Sequence, residues 1–162
     1  MTDIQVYKET LLRLGESIPY VVIGTFALLN LPEKVVLSSP PGDLDIIIPK
    51  NEDILNKAIN ILEVESYELY SWKDKVDENF DNNLFEGRFY VRGIKKINER
   101  CFIIDITYES DIVNFDELYE KSNLVESIRI AAIEDIITLL EARGSDKDKK
   151  LISKINSLVR GA

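Results

Sequence analysis

Two aspartates, Asp43 and Asp45, stand two positions apart at the start of an apolar run that continues to Ile48. Residues i and i+2 of a β-strand project from the same face, so both carboxylates leave one side of such a strand while Leu44 faces the other. Neighbouring carboxylates repel each other, and Mg²⁺, which prefers oxygen ligands, is the natural cation to offset that repulsion. Alone, the pair is a weak signal, because two solvated aspartates at a strand end give the same pattern.

Two further features flank this pair in the sequence. Gly24 and Thr25 follow the apolar residues 20–23 and open a stretch of helix formers. A glycine at a strand-to-helix turn lets backbone N–H groups approach a phosphate, and Thr25 adds a hydroxyl donor, although an ordinary turn glycine is the alternative. Asp105 lies in the middle of the apolar segment 102–106, where a lone carboxylate is expensive to bury unless it is paired or bound to a metal. The three features together are more specific than any one of them.

The elements that position these residues follow from apolar periodicity and from capping and turn residues. Strands are predicted at residues 20–23, 35–37, 43–48, 67–71 and 128–130, with a hairpin formed by residues 85–97 and 101–108 around Asn98-Glu99-Arg100. Helices are predicted from an N-cap at Asp3 to Gly15, at residues 25–31, after a cap at Asn51, and at residues 133–142 and 146–159. Residues 38–42 are predicted to be a loop, and residues 74–83 a surface loop or short helix. A mixed β-sheet with helices first, last and between predicts an α+β or α/β fold in one domain.

Three stretches of the chain occur in an order and spacing that resemble the nucleotidyltransferase superfamily, specifically its small bacterial members of the toxin–antitoxin and abortive-infection type. They are YVVIGTFALL at residues 20–29, GDLDIIIP at 42–49 and IIDI at 103–106, which look like that family's glycine turn, paired aspartates and third aspartate. Residues 133–148 also look like the C-terminal helices of these proteins. The resemblance implies a nucleotidyltransferase fold over residues 1–162, with a core at about 1–110 and a C-terminal helical part at about 111–162.

The resemblance also implies the chemistry of the carboxylates. The family transfers a nucleoside monophosphate from an NTP to an acceptor, and its metal here would be Mg²⁺ or Mn²⁺. Asp43 and Asp45 would bind the metals that hold the triphosphate. Asp105 would bind the second metal and help to deprotonate or orient the acceptor hydroxyl. Two ions a few ångströms apart can stabilise both the attacking and the leaving oxygens, so all three aspartates are predicted to be catalytic and metal-binding.

Nucleotide contacts are expected from three other residues. Gly24 and Thr25 would hold the β- and γ-phosphates. Arg143, near the end of a predicted helix, would contact phosphate or acceptor, or would instead satisfy the helix-end carbonyls. The acceptor itself, whether a protein, a tRNA or a small molecule, stays open.

The amino-acid composition limits which classes of function are possible. The 162-residue chain has a hydrophobic fraction of 45%, which suits one domain with a real core, and a formal net charge of −9, which disfavours wholesale nucleic-acid binding. The absence of histidine excludes Ser-His and Cys-His nucleophiles and histidine-bound zinc. A single cysteine, Cys101, precludes an intramolecular disulfide and favours the cytoplasm. No apolar stretch reaches about 18 residues, so no membrane association is expected.

A basic stretch in the predicted hairpin has two interpretations. Its members are Arg88, Arg92, Lys95, Lys96 and Arg100, interleaved with Phe89 and Tyr90. It could grip RNA or another anionic acceptor. The acidity of the chain favours the other interpretation, a solvated hairpin face. Trp72 could stack a base, although a core or rim position is commoner for such a residue.

Three hypotheses follow. The first is a magnesium-dependent nucleotidyltransferase. The second is a catalytically silent protein of the same fold that acts as a binding or regulatory partner, for example with a cognate protein in a toxin–antitoxin pair. The third is an α+β interaction domain in which the aspartate pair is accidental. The first and third differ in geometry, because a site requires the three carboxylates to converge.

Overall fold

The computed structural model describes residues 3–31, 42–76, 90–108 and 113–160. Its helices are α1 (Asp3–Gly15), α2 (Gly24–Asn30), α3 (Glu52–Val64), α4 (Phe115–Lys121), α5 (Ile133–Arg143) and α6 (Asp146–Arg160). Its strands are β1 (Val21–Ile23), β2 (Asp43–Ile48), β3 (Glu68–Ser71), β4 (Asp74–Lys75), β5 (Val91–Ile97), β6 (Arg100–Tyr108), β7 (Asn123–Val125) and β8 (Ile128–Ile130). The strand predicted at residues 35–37, the loop predicted at 38–41, and the predictions for residues 77–83 and 85–89 lie outside the described residues.

Within the described residues, the strands form one eight-stranded mixed sheet in the order β4-β3-β5-β6-β2-β1-β8-β7. The central strand β2 runs parallel to β6 and antiparallel to β1. β1 runs parallel to β8, and the other neighbours pair antiparallel. The predicted α+β class with a mixed sheet and flanking helices is therefore confirmed.

One face of β2 and β6 is apolar and covered. Leu44, Ile46 and Ile104 are completely buried there. Helix α1 packs on this side, where the Tyr7 ring meets Phe102 edge-on with 5.7 Å between ring centroids. Because side chains alternate along a strand, the intervening residues of β2 and β6 face the other side of the sheet.

The β5–β6 hairpin is confirmed, and its turn fixes its register. Asn98 and Glu99 both have positive φ, 49° and 69°, as the tight two-residue turn of a twisted hairpin requires. The pairing that follows from this turn sets Arg92 directly opposite Asp105.

Three short elements were not predicted from the sequence, and one of them is a strand where a surface loop or short helix was predicted. They are β4, α4 and β7, which have two to seven residues each and are too short for a periodic signal. A capping signal was nevertheless present for α4, because the Asn114 side chain accepts a hydrogen bond from the Glu117 N–H. None of the described helices combines the length and the apolar character needed to cross a bilayer.

Candidate active site

The structure brings the three predicted carboxylates to one face of the sheet. Asp45 is the direct neighbour of Asp105 in the parallel ladder between β2 and β6, and Asp43 precedes Asp45 by two residues on the same face. Asp105 is 7% exposed, whereas Asp43 and Asp45 are half-buried. The three acids therefore lie side by side on two hydrogen-bonded strands, opposite the face that α1 covers.

A cation from β5 lies among these carboxylates. Arg92 Nε donates to Asp105 Oδ1 at 2.9 Å and Arg92 Nη2 donates to Asp105 Oδ2 at 3.0 Å. The same Nη2 lies 3.5 Å from Asp43 Oδ2. The Tyr90 hydroxyl donates to Asp105 Oδ1 at 2.7 Å. Both oxygens of Asp105 thus accept hydrogen bonds, which offsets the cost of burying its charge.

Arg92 and Tyr90 are the site residues that the sequence analysis missed. The favoured interpretation of the basic stretch as a solvated hairpin face is wrong for Arg92, since its guanidinium pairs with Asp105. The signal was present in the sequence: counting residue pairs back from a two-residue turn at Asn98 and Glu99 sets Arg92 opposite Asp105.

Burial and the neighbouring acids raise the proton affinity of Asp43 and Asp45. Burial raises the pKa of Asp45 to about 7, and the negative charges of Asp105 and Asp43 add to the shift. Burial also raises the pKa of Asp43, followed by the charge of Asp105, while Arg92 opposes the shift. One arginine therefore does not balance the three acids, and a further cation would stabilise the ionised forms of Asp43 and Asp45.

Gly24 packs against the site at the start of α2. Its φ is +73°, a conformation that glycine adopts far more readily than other residues. A Cβ at this position would lie 2.7 Å from Asp45 Oδ2, well inside van der Waals contact. The glycine is therefore required both by the turn and by the closeness of the Asp45 carboxylate. Thr25, the other predicted phosphate ligand, is half-buried in the first turn of α2.

We expect Gly24→Ala to lower stability by about 1–3 kcal/mol, because the alanine would hold a strained φ and displace the Asp45 carboxylate. Thermal unfolding would measure the loss. Gly42→Ala is the matched control, since a Cβ at Gly42 meets nothing within 4 Å. Equal melting temperatures for the two variants would contradict the packing role of Gly24.

Arg143, predicted to contact nucleotide, is held by an ion pair at the α5–α6 junction. Its Nε donates to Asp148 Oδ2 at 2.7 Å, and its Nη2 donates to the other carboxylate oxygen. Asp148 is buried and also caps α6: the Ser145 N–H donates to Asp148 Oδ2, and the Asp148 N–H donates to Ser145 Oγ. The pair with Arg143 holds the pKa of Asp148 well below its usual range. The Arg143 side chain is therefore held by Asp148, and its contact with nucleotide stays a prediction.

The same junction presents positive charge to the carboxylates. The charge of Arg143 lowers the pKa of Asp45, and the charge of Lys147 lowers that of Asp43, although both effects are smaller than those that raise these pKa values. The end of α5 and the start of α6 therefore bring positive charge toward the acidic cluster.

We expect Arg143→Gln to destabilise the chain by about 1–3 kcal/mol, because a buried carboxylate loses its charged partner. Urea denaturation would measure this change. Lys149→Gln removes the same charge from an exposed position on α6 and is the control. An Arg143→Gln variant as stable as that control would show that the ion pair contributes nothing to stability.

The carboxylates fit a divalent metal in part. Across residues 3–31, 42–76, 90–108 and 113–160, no cluster of three or more His, Cys, Asp or Glu side chains is arranged as a metal site. Asp105 is already engaged by Arg92 and Tyr90. Asp43 and Asp45 offer the hard oxygen donors that Mg²⁺ and Mn²⁺ prefer, and their raised pKa values mark charge that a cation would stabilise. These two residues therefore fit such an ion.

Comparison with solved structures identifies the fold as that of the nucleotidyltransferases. The chain is similar to the crystal structure of ANT(2″)-Ia in complex with adenylyl-2″-tobramycin, with a TM-score of 0.56 and 12% sequence identity over 99% of this chain and 90% of that chain. It is also similar to the solution structure of the antibiotic-resistance factor ANT(2″)-Ia, with a TM-score of 0.47 and 12% identity over 99% of this chain and 96% of that one. No protein-family model and no curated protein sequence matches the chain. The predicted fold is confirmed, and the toxin–antitoxin subtype stays a prediction.

Proposed function

We propose that the protein is a metal-dependent nucleotidyltransferase that moves a nucleoside monophosphate from an NTP to a hydroxyl acceptor. The observation that carries this proposal is the register of β2 and β6, which sets Asp45 beside Asp105 with Asp43 on the same face. The nucleotidyltransferase fold supports it. Three acids on one face, with Gly24 against Asp45, form a constellation that an interaction domain does not need.

The residues have distinct roles in this proposal. Asp43 and Asp45 hold Mg²⁺ or Mn²⁺, which supplies charge neutralisation for the triphosphate. Gly24, Thr25 and Arg143 contact the phosphates. The acceptor oxygen forms a bond to the α-phosphorus, the bond from that phosphorus to the bridging oxygen breaks, and pyrophosphate leaves. Such transfer depends mainly on positioning and charge stabilisation, so the chain needs no histidine.

Asp105 orients the acceptor hydroxyl and accepts its proton. It pairs with Asp45 in the ladder between β2 and β6. Asp105 can therefore contact the acceptor hydroxyl while Asp45 holds the metal of the nucleotide. Its hydrogen bonds from Tyr90 and Arg92 fix the carboxylate in place. A fixed base costs less to align in the transition state than a mobile one.

The acceptor in this proposal is a small cationic molecule that carries a hydroxyl group. The net charge of −9 and the exposed faces of Asp43 and Asp45 favour a cation over an RNA. ANT(2″)-Ia, whose complex contains adenylyl-2″-tobramycin, offers a precedent on the same fold. A single cysteine is consistent with action in the reducing cytoplasm.

The test is incubation with each NTP labelled at the α-phosphate, in Mg²⁺ or Mn²⁺, with aminoglycosides, other amines that carry hydroxyl groups, tRNA and candidate proteins. We expect label on a small cationic acceptor and release of pyrophosphate. Label on tRNA or protein would keep the reaction class and change the acceptor. Nucleotide binding without label on any acceptor would overturn transferase activity.

A second candidate is a catalytically silent member of the same fold that binds nucleotide or a cognate protein, as in a toxin–antitoxin pair. The observation in its favour is the ion pair from Arg92 to Asp105, which occupies the third carboxylate. The labelling assay separates the two candidates, because only the enzyme releases pyrophosphate.

A further inference from the structure

The guanidinium of Arg92 is placed as a bridge between two of the site's acids. It makes two parallel hydrogen bonds to Asp105, 2.9 and 3.0 Å long, and its Nη2 lies 3.5 Å from Asp43 Oδ2. An arginine fork that meets a carboxylate in this way is stronger and more directional than a single charged contact. Arg92 thus stands where a cation shared by Asp43 and Asp105 would stand.

The surroundings hold Arg92 in this place. The register of the β5–β6 hairpin sets Arg92 opposite Asp105, so the backbone itself aligns the pair. The Tyr90 hydroxyl donates to the same carboxylate, and the Arg92 Cζ lies 5.9 Å from the centre of the Tyr90 ring. Trp72 in turn packs on Tyr90, with 5.0 Å between ring centroids. The position is therefore built by strand pairing and aromatic packing rather than by one flexible contact.

We propose that Arg92 is a positioning residue that serves as the fixed cation of the site, so that the carboxylate cluster takes one divalent ion, at Asp43 and Asp45, instead of two. This inference rests on the proposed metal-dependent function. Asp105 stays paired with Arg92, binds no metal ion, and orients the acceptor hydroxyl.

Charge and bonding both support a single ion. Without nucleotide, the three carboxylates carry three negative charges, which one arginine and one divalent ion together neutralise. A second ion on Asp105 would have to displace two charge-assisted hydrogen bonds and leave the Arg92 guanidinium beside a dication. Arginine keeps its charge at any working pH, so this cation cannot be removed by deprotonation.

The test counts Mn²⁺ ions by electron paramagnetic resonance, using the whole chain saturated with an ATP analogue that has a methylene bridge between its α- and β-phosphorus. We expect one bound Mn²⁺ per wild-type chain. Arg92→Gln should bind a second Mn²⁺, since Asp105 is freed, whereas Arg92→Lys keeps the charge and should still bind one. Lys96→Gln, an exposed charge loss on the same strand, is the control and should bind one.

A second readout protects the test against misfolding of Arg92→Gln. In EDTA its melting temperature should fall below that of Lys96→Gln, and Mn²⁺ should raise it by more than it raises the control. Two Mn²⁺ ions on the wild-type chain, or one on a folded Arg92→Gln variant, would overturn the single-ion inference alone. A wild-type chain that binds neither Mn²⁺ nor the analogue would overturn the proposed function as well.

Discussion

Asp105→Asn is expected to lower the rate of nucleotidyl transfer by about 10²–10⁴-fold, the usual range for loss of a positioned acid–base group. The affinity for Mg²⁺·NTP should stay nearly the same. Asp105 faces the acceptor in the proposed mechanism, so its loss falls on an interaction that grows in the transition state and hence on kcat. Asp43 and Asp45 hold the nucleotide's metal, so their loss falls on binding as well.

The structure makes asparagine a suitable replacement at this position. Its amide keeps the shape of the side chain, and its oxygen can still accept one of the bonds that Arg92 and Tyr90 now donate to Asp105. The variant loses the negative charge and the proton acceptor. A selective loss of kcat would therefore reflect the loss of the proton acceptor rather than a disrupted site structure.

Two measurements and two comparison variants define the outcome. Calorimetry gives nucleotide affinity, and the fluorescence of Trp72, the single tryptophan, reports on the ring that packs against Tyr90. Asp45→Asn should lose both binding and turnover, whereas Asp53→Asn, on the exposed side of α3, should lose neither. Unchanged turnover in Asp105→Asn would remove its assigned role even though the fold stands.

The parts of the site that the sequence predicted are those whose geometry is local. Asp43 and Asp45 share a face because they are two residues apart on one strand, and Gly24 follows from a strand-to-helix turn. Asp105 was found because a lone charge interrupts an apolar strand. None of these inferences required knowledge of the strand order in the sheet.

The parts that were missed depend on pairing between strands or on burial by distant elements. Arg92 becomes a site residue only when the hairpin register sets it against Asp105, and its polar neighbours in sequence suggested solvent. Asp148 lies in the charged run DKDKK, yet it is buried because it caps α6 and pairs with Arg143. In both cases the sequence shows the charge, and the tertiary partner decides its role.

Asp45→Asn is expected to make the metal-free protein more stable at pH 8, and to stabilise it by less than half as much at pH 5. Burial and the neighbouring acids raise the pKa of Asp45 from 3.8 to about 7 in the folded chain. Between these two values the folded state binds the proton more tightly than the unfolded state, so this group's contribution to stability falls as the pH rises through that window. Asparagine mimics the protonated form and removes the dependence.

The expected gain at pH 8 is about 1–2 kcal/mol, a value reduced from full linkage because Asp45 is only partly buried and solvent screens its charge. For a chain of this length that gain corresponds to a rise in Tm of about 2–8 °C. Calorimetric scans in EDTA at pH 5 and pH 8 would measure it, with Asp53→Asn as a control that should show no such pH dependence. A Tm difference of the same size at both pH values would contradict the raised pKa.

The ligand response of the same variant should run in the opposite direction. Mg²⁺ with an NTP stabilises only the folded wild-type chain and should raise its Tm at pH 8, by mass action. Asp45→Asn should lose most of that rise, because it has exchanged a metal ligand for a neutral amide. A variant that is more stable without metal and less responsive to Mg²⁺·NTP would show that Asp45 sacrifices stability for cation binding. An equal ligand-induced rise in both proteins would instead place the metal away from Asp45.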